Sequence, residues 1–251
     1  MDIPAYLDRI NYRGPLNRDI GTLQHLHVAH LRAVPFENLS IHAGEPIILD
    51  DSALFDKIVK RNRGGFCYEL NGLFAALLRE LGYEVGMLSA QVANAAGEFS
   101  ADFDHMTLVV ALDERWLVDV GFGDSFVEPL RIEEREVQVQ DSQGYRLDRD
   151  DDYFVLTKRT DEGTNEWKSQ YRCKLKTYSY SDYAERCNFH QTSPDSHFTQ
   201  NRICSKLTPT GRISVSDTRF IVSEKGVRHD YPVTSQVQYE ELLREHFGII
   251  L

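Results

Sequence analysis

A cysteine at the start of a predicted helix is the residue of this sequence best suited to nucleophilic chemistry. Cys67 lies in the run RGGFCYELNG at positions 63–72. Apolar residues then recur at helical spacing, at Leu70, Leu73, Phe74, Leu77, Leu78 and Leu81. This spacing predicts a helix with one buried face, and its unpaired first N–H groups and dipole favour a thiolate, the nucleophilic form of cysteine. The alternative is a buried cysteine beside an ordinary turn.

His105 and Asp119 could supply the base and the orienting group that a cysteine nucleophile needs. His105 opens a predicted strand and Asp119 ends the next one. Asp113 and Glu114 between the strands predict a hairpin turn, so the two side chains should lie near the same end of the hairpin. An aspartate bonded to one ring nitrogen leaves the other facing Cys67, as in cysteine hydrolases and acyltransferases. The ordinary alternatives are a surface or core histidine and an aspartate that serves only its glycine turn.

The remaining histidines and cysteines do not predict a metal site. The four cysteines are far apart and include no CxxC pair: Cys67, Cys173, Cys187 and Cys204. His25, His27 and His30 share a predicted helix without a cysteine or carboxylate at ligand spacing nearby. We therefore expect neither a zinc site nor a disulfide framework, and a reduced, cytoplasmic protein. The other histidines compete with His105 for the role of the base.

The composition is that of a soluble globular protein with one large domain or two to three small ones. The chain has 251 residues, of which 41% are hydrophobic and 27% charged, and its net charge is -11. This negative charge argues against a general nucleic-acid or anionic-membrane surface. No apolar run reaches the roughly 18 residues of a membrane span. The first residues do not resemble a secretory signal.

The elements that must position these side chains follow from a change of periodicity along the chain. Helices are predicted at 3–10, 17–33, 51–61 and 67–82. Strands are predicted at 84–92, 106–112, 115–120, 153–158 and 167–175, with a loop-rich stretch at 124–152. A helix at 181–189 precedes short strands at 203–207, 213–215, 218–222 and 226–231 and a last helix at 237–247. This order predicts an α+β fold with an antiparallel sheet or small barrel.

Several motifs together resemble the arylamine N-acetyltransferase family. In the family's order they are YLDRI at 6–10, VPFENL at 34–39, RGGFCYELN at 63–71, the strand of His105, and DVGFG at 119–123. A weaker match in the second half of the chain runs from Ser193 and Pro194 through the turn at 208–212. The resemblance implies that Cys67, His105 and Asp119 form the catalytic triad.

The resemblance also implies three regions with a core like that of the cysteine proteases. They are an N-terminal helical bundle at 1–82, a central antiparallel β-barrel at 83–180 and a C-terminal α/β lid at 181–251. Cys67 belongs to the bundle, whereas His105 and Asp119 belong to the barrel. Charged positions that support the core of the family are matched by Arg9, Glu37 and Arg63. Buried opposite charges need one another, so we interpret these three as a structural network.

By the same resemblance, Cys67 takes an acetyl group from acetyl-CoA and passes it to an arylamine, arylhydrazine or N-hydroxyarylamine. Phe122 matches a position that lines the acceptor pocket, and Phe36 and Phe66 would complete its apolar wall. Such an enzyme of xenobiotic metabolism has small-molecule partners and needs no metal, no nucleic acid and no membrane. Whether it forms a homodimer stays open.

Two kinds of residue are candidates for contacts with the coenzyme. Gly123 matches a loop near the coenzyme's phosphates, and Thr208 lies in the weaker match at 208–212. Because CoA is anionic and the protein is acidic, a local basic cluster must bind it. The candidate cations are Arg202, Lys206 and Arg212, each of which could also be an ordinary solvated charge.

Three other functions are compatible with the same residues. An amide synthase that closes polyketide amides would use the same triad, and so would a cysteine hydrolase of the transglutaminase-like kind. A hydrolase needs no thioester donor, which distinguishes it from the acyltransferase. A non-enzymatic binding module is a third alternative, but it would not need Cys67, His105 and Asp119 together.

Overall fold

The N-terminal third is helical, as predicted. The computed structural model describes residues 1–140, 143–159 and 166–251. Its first elements are α1 (Ile3–Arg9), α2 (Ile20–Ala33), β1 (Phe36–Glu37), α3 (Leu39–His42), α4 (Asp51–Phe55) and α5 (Cys67–Glu80). One turn of π-helix, Asp56–Lys60, continues α4. Asp2, Asp19 and Asp50 cap α1, α2 and α4 by accepting hydrogen bonds from backbone N–H groups in the first turn.

Eight antiparallel strands form a nearly closed barrel. They are β2 (Glu84–Val92), β3 (His105–Ala111), β4 (Arg115–Val118), β5 (Leu130–Arg131), β6 (Gln138–Gln140), β7 (Gln143–Asp150), β8 (Tyr153–Arg159) and β9 (Trp167–Tyr178). Their order is β5-β4-β3-β2-β9-β8-β7-β6. The Gln138 side chain spans the gap between the end strands, accepting from Arg131 N at 2.8 Å and donating to Arg131 O at 3.0 Å. A side-chain amide thus replaces a backbone pair at the seam.

The expectation of a loop-rich stretch at 124–152 is wrong for much of its length. The stretch contains β5, β6 and β7, while residues 141 and 142 lie outside the described part of the chain. Tyr145 and Leu147 of β7 point into the barrel core. The alternating residues Arg146 and Asp148 point the other way, and their side chains form an ion pair. The many charged residues therefore belong to the solvent side of a strand, which made the segment resemble a loop.

The C-terminal part combines helices with a second sheet. It contains α6 (Tyr180–Thr192), α7 (His197–Gln200), β10 (Ile203–Thr208), β11 (Gly211–Ser216), β12 (Arg219–Glu224), β13 (Val227–Pro232) and α8 (Gln236–Leu242), which a π-helical turn continues over Leu243–Phe247. The sheet order is β1-β10-β11-β12-β13, so Phe36–Glu37 of the N-terminal part pairs with the C-terminal strands. Tyr183 and Cys187 of α6 pack into the same core as α2 and α5. The bounds of the three predicted regions stay predictions.

Candidate active site

The turn before α5 is built so that Cys67 begins the helix in a fixed position. A Cβ atom on Gly64 would lie 2.0 Å from the Pro35 carbonyl oxygen, so only glycine fits there. Phe66 N donates to Glu69 Oε2 at 3.1 Å, which caps the helix. The other oxygen of Glu69 accepts from Lys57 Nζ at 2.7 Å, and both of these charged side chains are buried. Such a buried pair holds its geometry because separating the two side chains would leave a buried charge without its partner.

A second buried ion pair ties the same turn to β1. Arg63 donates to Glu37 through Nε at 3.0 Å and through Nη2 at 3.2 Å. Glu37 also accepts from Gly64 N at 3.2 Å. Arg9 contributes hydrogen bonds and not a charge pair. It donates to the backbone carbonyl oxygens of Ile58, Ala33 and Arg63. These contacts fit the structural role expected for the three charged residues.

The hairpin of β3 and β4 brings His105 and Asp119 together, as its spacing predicted. His105 Nε2 lies 2.6 Å from Asp119 Oδ2, and both side chains are buried. Asp119 Oδ1 accepts from Gly121 N at 3.0 Å and from the Asn71 side chain at 2.9 Å. Asp119 engages the Nε2 atom of His105. The other ring nitrogen, Nδ1, is therefore left for a substrate or nucleophile.

Asn71 connects the helix of Cys67 to β3 and to the turn that follows β4. It lies four residues after Cys67, on the same face of α5. Its Nδ2 donates to Met106 O at 2.7 Å as well as to Asp119, and its Oδ1 accepts from Val120 N at 2.9 Å. Sequence reasoning did not single out Asn71. The helical spacing from Cys67 was a signal that could have found it.

Gly121 lets the chain after Asp119 close onto Cys67. A Cβ atom at Gly121 would lie 2.8 Å from the Cys67 Cα atom and 2.7 Å from the Asn71 amide nitrogen. A larger residue would push the Asp119 turn away from the helix. Helix α5, strand β3 and the turn after β4 thereby meet at one buried position.

The electrostatics of this position differ from the expectation for a helix start. Burial raises the pKa of the Cys67 thiol well above its ordinary value, and Asp119 acts in the same direction. A hydrogen bond from the backbone N–H of Met106 opposes the rise. Burial is the largest cause of the rise at a side chain that is only 3% exposed, so the direction of the pKa shift is opposite to the lowering expected for a helix start. For Asp119, burial alone would raise the pKa, but His105, Asn71 and Gly121 lower it below its usual value.

Three aromatic side chains were expected to line an acceptor pocket, and the structure distributes them unequally. Phe122 is half-buried, and its ring centroid lies 5.0 Å from those of His105 and Tyr171. Phe36 is also half-buried and contacts Phe198 of α7, with 6.1 Å between ring centroids. Phe66 has no exposed surface and packs 5.5 Å from Phe198. Phe122 therefore lies beside His105, Phe36 and Phe66 both contact Phe198, and Phe66 has no surface of its own to offer a ligand.

Gly123 and Thr208 have features that fit a polar ligand. Gly123 adopts a φ of +87°, and nothing lies within 4 Å of the position its Cβ atom would occupy. The Thr208 hydroxyl is buried without a hydrogen-bond partner among the described residues. The Gly123 turn therefore leaves open space, and the buried Thr208 hydroxyl keeps a donor unused by the described residues.

Of the three cations expected to bind CoA, only Arg212 has a charged partner beside Gly123. Its Nε lies 3.8 Å from a carboxylate oxygen of Asp124. Lys158 of the barrel approaches the other oxygen of Asp124 at 3.3 Å. Arg202 pairs with Asp217, and Lys206 donates to the His246 carbonyl oxygen. Arg212 and Lys158 thus place two cations around one exposed carboxylate.

Two observations concern other kinds of site. Within residues 1–140, 143–159 and 166–251, no three His, Cys, Asp or Glu side chains are grouped so that they could hold a metal ion. None of the helices in this part of the chain is both long enough and apolar enough to cross a bilayer.

Comparison with known proteins identifies the family. A model of the N-acetyltransferase family matches residues 19–251. Human arylamine N-acetyltransferase 1 is 33% identical over 275 residues, covering 100% of this chain and 95% of its own. The Mycobacterium marinum arylamine N-acetyltransferase, solved in complex with CoA, has a TM-score of 0.91 and 34% identity, covering 99% of this chain and 93% of that one. A Bacillus cereus arylamine N-acetyltransferase, described as having a unique Cys-His-Glu catalytic triad, has a TM-score of 0.91 and 27% identity over 100% of both chains. The chain therefore belongs to the arylamine N-acetyltransferase family and is an acyltransferase.

Proposed function

We propose that this enzyme transfers the acetyl group of acetyl-CoA, through a thioester on Cys67, to an arylamine, arylhydrazine or N-hydroxyarylamine. The observation that carries the proposal is the buried 2.6 Å contact between His105 and Asp119, which Asn71 ties to the helix of Cys67. The CoA complex of the M. marinum relative supports the donor, and the Cys-His-Glu triad described for the B. cereus relative supports a cysteine nucleophile.

In the first half-reaction, His105 takes the proton of Cys67 on Nδ1 while the sulfur attacks the thioester carbonyl carbon. The new C–S bond to Cys67 forms, and the negative charge on the carbonyl oxygen is stabilised by backbone N–H groups at the start of α5. The bond to the CoA sulfur then breaks, and the leaving thiolate receives the proton from His105. The products are acetylated Cys67 and free CoA.

In the second half-reaction, the amine nitrogen attacks the acetyl carbon on Cys67. His105 accepts the proton that the nitrogen loses, the C–S bond breaks, and the proton returns to Cys67. Asp119 stabilises the imidazolium in both halves and keeps Nδ1 directed away from itself. The flat ring of the acceptor suits an apolar wall made by Phe122 and Phe36, with the buried Phe66 packed against Phe198.

For the coenzyme, we propose that Gly123 and Thr208 contact its polar chain and that Arg212 with Lys158 attracts its phosphates. Arg212 and Lys158 share Asp124, so this cluster carries one more positive than negative charge in an otherwise acidic protein. A cluster of this kind concentrates an anionic substrate. Of the other cations predicted from the sequence, Arg202 pairs with Asp217 and Lys206 donates to the His246 carbonyl oxygen, and neither contacts Asp124.

The decisive experiment mixes the enzyme rapidly with acetyl-CoA alone. We expect a burst of free CoA of about one equivalent per active site, followed by slow hydrolysis. The thiol reagent that detects CoA is added only after quenching, and mass spectrometry must find the acetyl group on Cys67. Fully active enzyme without a burst would exclude the thioester route.

A second experiment separates the alternative functions. An arylamine panel is added to the acetylated enzyme, and double-reciprocal plots with both substrates varied should give parallel lines. A cysteine hydrolase would turn over without a thioester donor, and a polyketide amide synthase would acetylate none of the arylamines. We further expect a cytoplasmic enzyme of xenobiotic metabolism.

A further inference from the structure

The segment 119–127 contributes several residues to the proposed site but has no regular secondary structure. It runs from Asp119 to Val127 between β4 and β5. Asp119 contacts His105, Phe122 packs against the His105 ring, and Gly121 lies against Cys67. Because no strand ladder holds such a segment, its position depends on side chains from elsewhere.

His27 of α2 joins the two ends of this segment. Its Nε2 accepts a hydrogen bond from Asp119 N at 3.2 Å, and its Nδ1 lies 2.7 Å from the Val127 carbonyl oxygen. A backbone N–H can only donate and a carbonyl can only accept, so Nδ1 must carry the proton and Nε2 must be free of one. The partners therefore fix one neutral tautomer of the ring.

The surroundings hold the His27 ring in the plane that these two bonds require. The side chain is completely buried. Phe126, itself part of the segment, stacks on the ring with 5.8 Å between centroids and 12° between planes. Phe74 of α5 meets it edge-on at 6.1 Å. His27 thus contacts the segment at its beginning, at its end and through a ring inside it, and it also contacts the helix that begins with Cys67.

We propose that His27 is a positioning residue for acetyl transfer, which clamps both ends of the 119–127 segment and so holds Asp119 against His105. The proposal rests on the catalytic roles given above to Cys67, His105 and Asp119. An apolar ring of similar size would fill the space of His27 but leave Asp119 N and Val127 O without their partners. The segment would then move, and Asp119 would stabilise the imidazolium of His105 less well.

The same helix offers a matched control in His30. This histidine is also completely buried and packs edge-on against Phe74, at 5.3 Å. Its Nδ1 bonds to the Tyr6 hydroxyl at 2.8 Å, and none of its hydrogen bonds reaches the 119–127 segment. Replacing His30 should disturb the helical core as much as replacing His27 does, without loosening the segment.

The test measures the reactivity of Cys67 in His27→Phe, His27→Gln and His30→Phe at a temperature where all are folded. Iodoacetamide modification is followed by mass spectrometry of the peptide that contains Cys67. We expect His27→Phe to slow it by about tenfold, which corresponds to about 1.4 kcal/mol. His27→Gln, whose amide can donate and accept, should recover part of the rate, and His30→Phe should stay within about threefold of the wild type.

Three results would overturn the proposal: an unchanged rate in His27→Phe, an equal loss in His30→Phe, or no recovery in His27→Gln. If His27→Phe does not fold, His27→Asn, whose amide is too short to reach both partners, is compared with His30→Asn with the same expected difference. The burst of CoA is measured in parallel. A wild-type enzyme without a burst refutes the acetyl-transfer mechanism, while the modification rates still decide the role of His27.

Discussion

Acidification should destabilise this protein, and His27 should account for a measurable part of the loss. Burial lowers the pKa of His27 from 6.5 to about 4 in the folded chain. The unfolded chain therefore binds a proton that the folded chain does not bind between these two values. His27 contributes its full stabilisation above about pH 6.5, and this is lost as the pH falls towards 4. The difference of about 2.5 pKa units corresponds to about 3 kcal/mol, of which about 2 kcal/mol should be lost between pH 7 and pH 5.

Urea unfolding at pH 7, 6 and 5, followed by circular dichroism, tests this expectation. Burial also lowers the pKa of His30, so the wild type should lose more than His27 alone explains. For this reason the comparison is with His27→Phe, which cannot titrate at this position. The loss of unfolding free energy between pH 7 and pH 5 should be about 2 kcal/mol smaller in the variant. A difference below about 0.5 kcal/mol, which is within the uncertainty of extrapolated unfolding energies, would refute the reasoning.

The remaining predictions concern the reaction. Cys67→Ser should abolish acyl transfer, because a hydroxyl is far less acidic than a thiol, and should leave the circular dichroism spectrum unchanged. Near-normal turnover would refute the role of Cys67 as the nucleophile. Asp119→Asn should lower kcat/KM by on the order of 100-fold or more, and a few-fold effect would mean that another group orients the base. Phe122→Ser should change the ranking of arylamine acceptors in a competition assay without slowing the acetylation burst; an equal fall for every acceptor contradicts this. Arg212→Gln should raise KM for acetyl-CoA with little change in kcat. Arg202→Gln should leave both constants near the wild-type values, because Arg202 pairs with Asp217 and not with the Asp124 that Lys158 contacts.

Local patterns predicted the elements of the site correctly because each depends on a short stretch of chain. The helical spacing after Cys67 gave α5, and Gly82, which follows the helix, adopts a left-handed conformation with a φ of +87°. The hairpin turn between β3 and β4 was enough to bring His105 and Asp119 together. Nothing beyond the period of the residues and one turn was needed in either case.

What the sequence did not reveal depends on contacts between distant parts of the chain. The pairing of β1 with β10 joins residues more than 160 positions apart, and the Gln138 side chain closes a barrel whose end strands are too short to pair fully. His27 was noticed only as one of several histidines on a helix. Its role depends on a carbonyl oxygen 100 residues away, which no local pattern indicates.

The raised pKa of Cys67 is compatible with a thiolate nucleophile when the charges of the site are considered together. Moving the proton from Cys67 to His105 creates a thiolate and an imidazolium but leaves the net charge of the buried site unchanged. The negative charge of Asp119 disfavours the thiolate of Cys67 and favours the imidazolium of His105. Asp119 lies 2.6 Å from His105 Nε2, so its attraction for an imidazolium acts through a direct contact and opposes its unfavourable effect on the thiolate. If Cys67 is the nucleophile, as proposed, its activation should depend on the position of Asp119, which contacts with Asn71 and His27 hold.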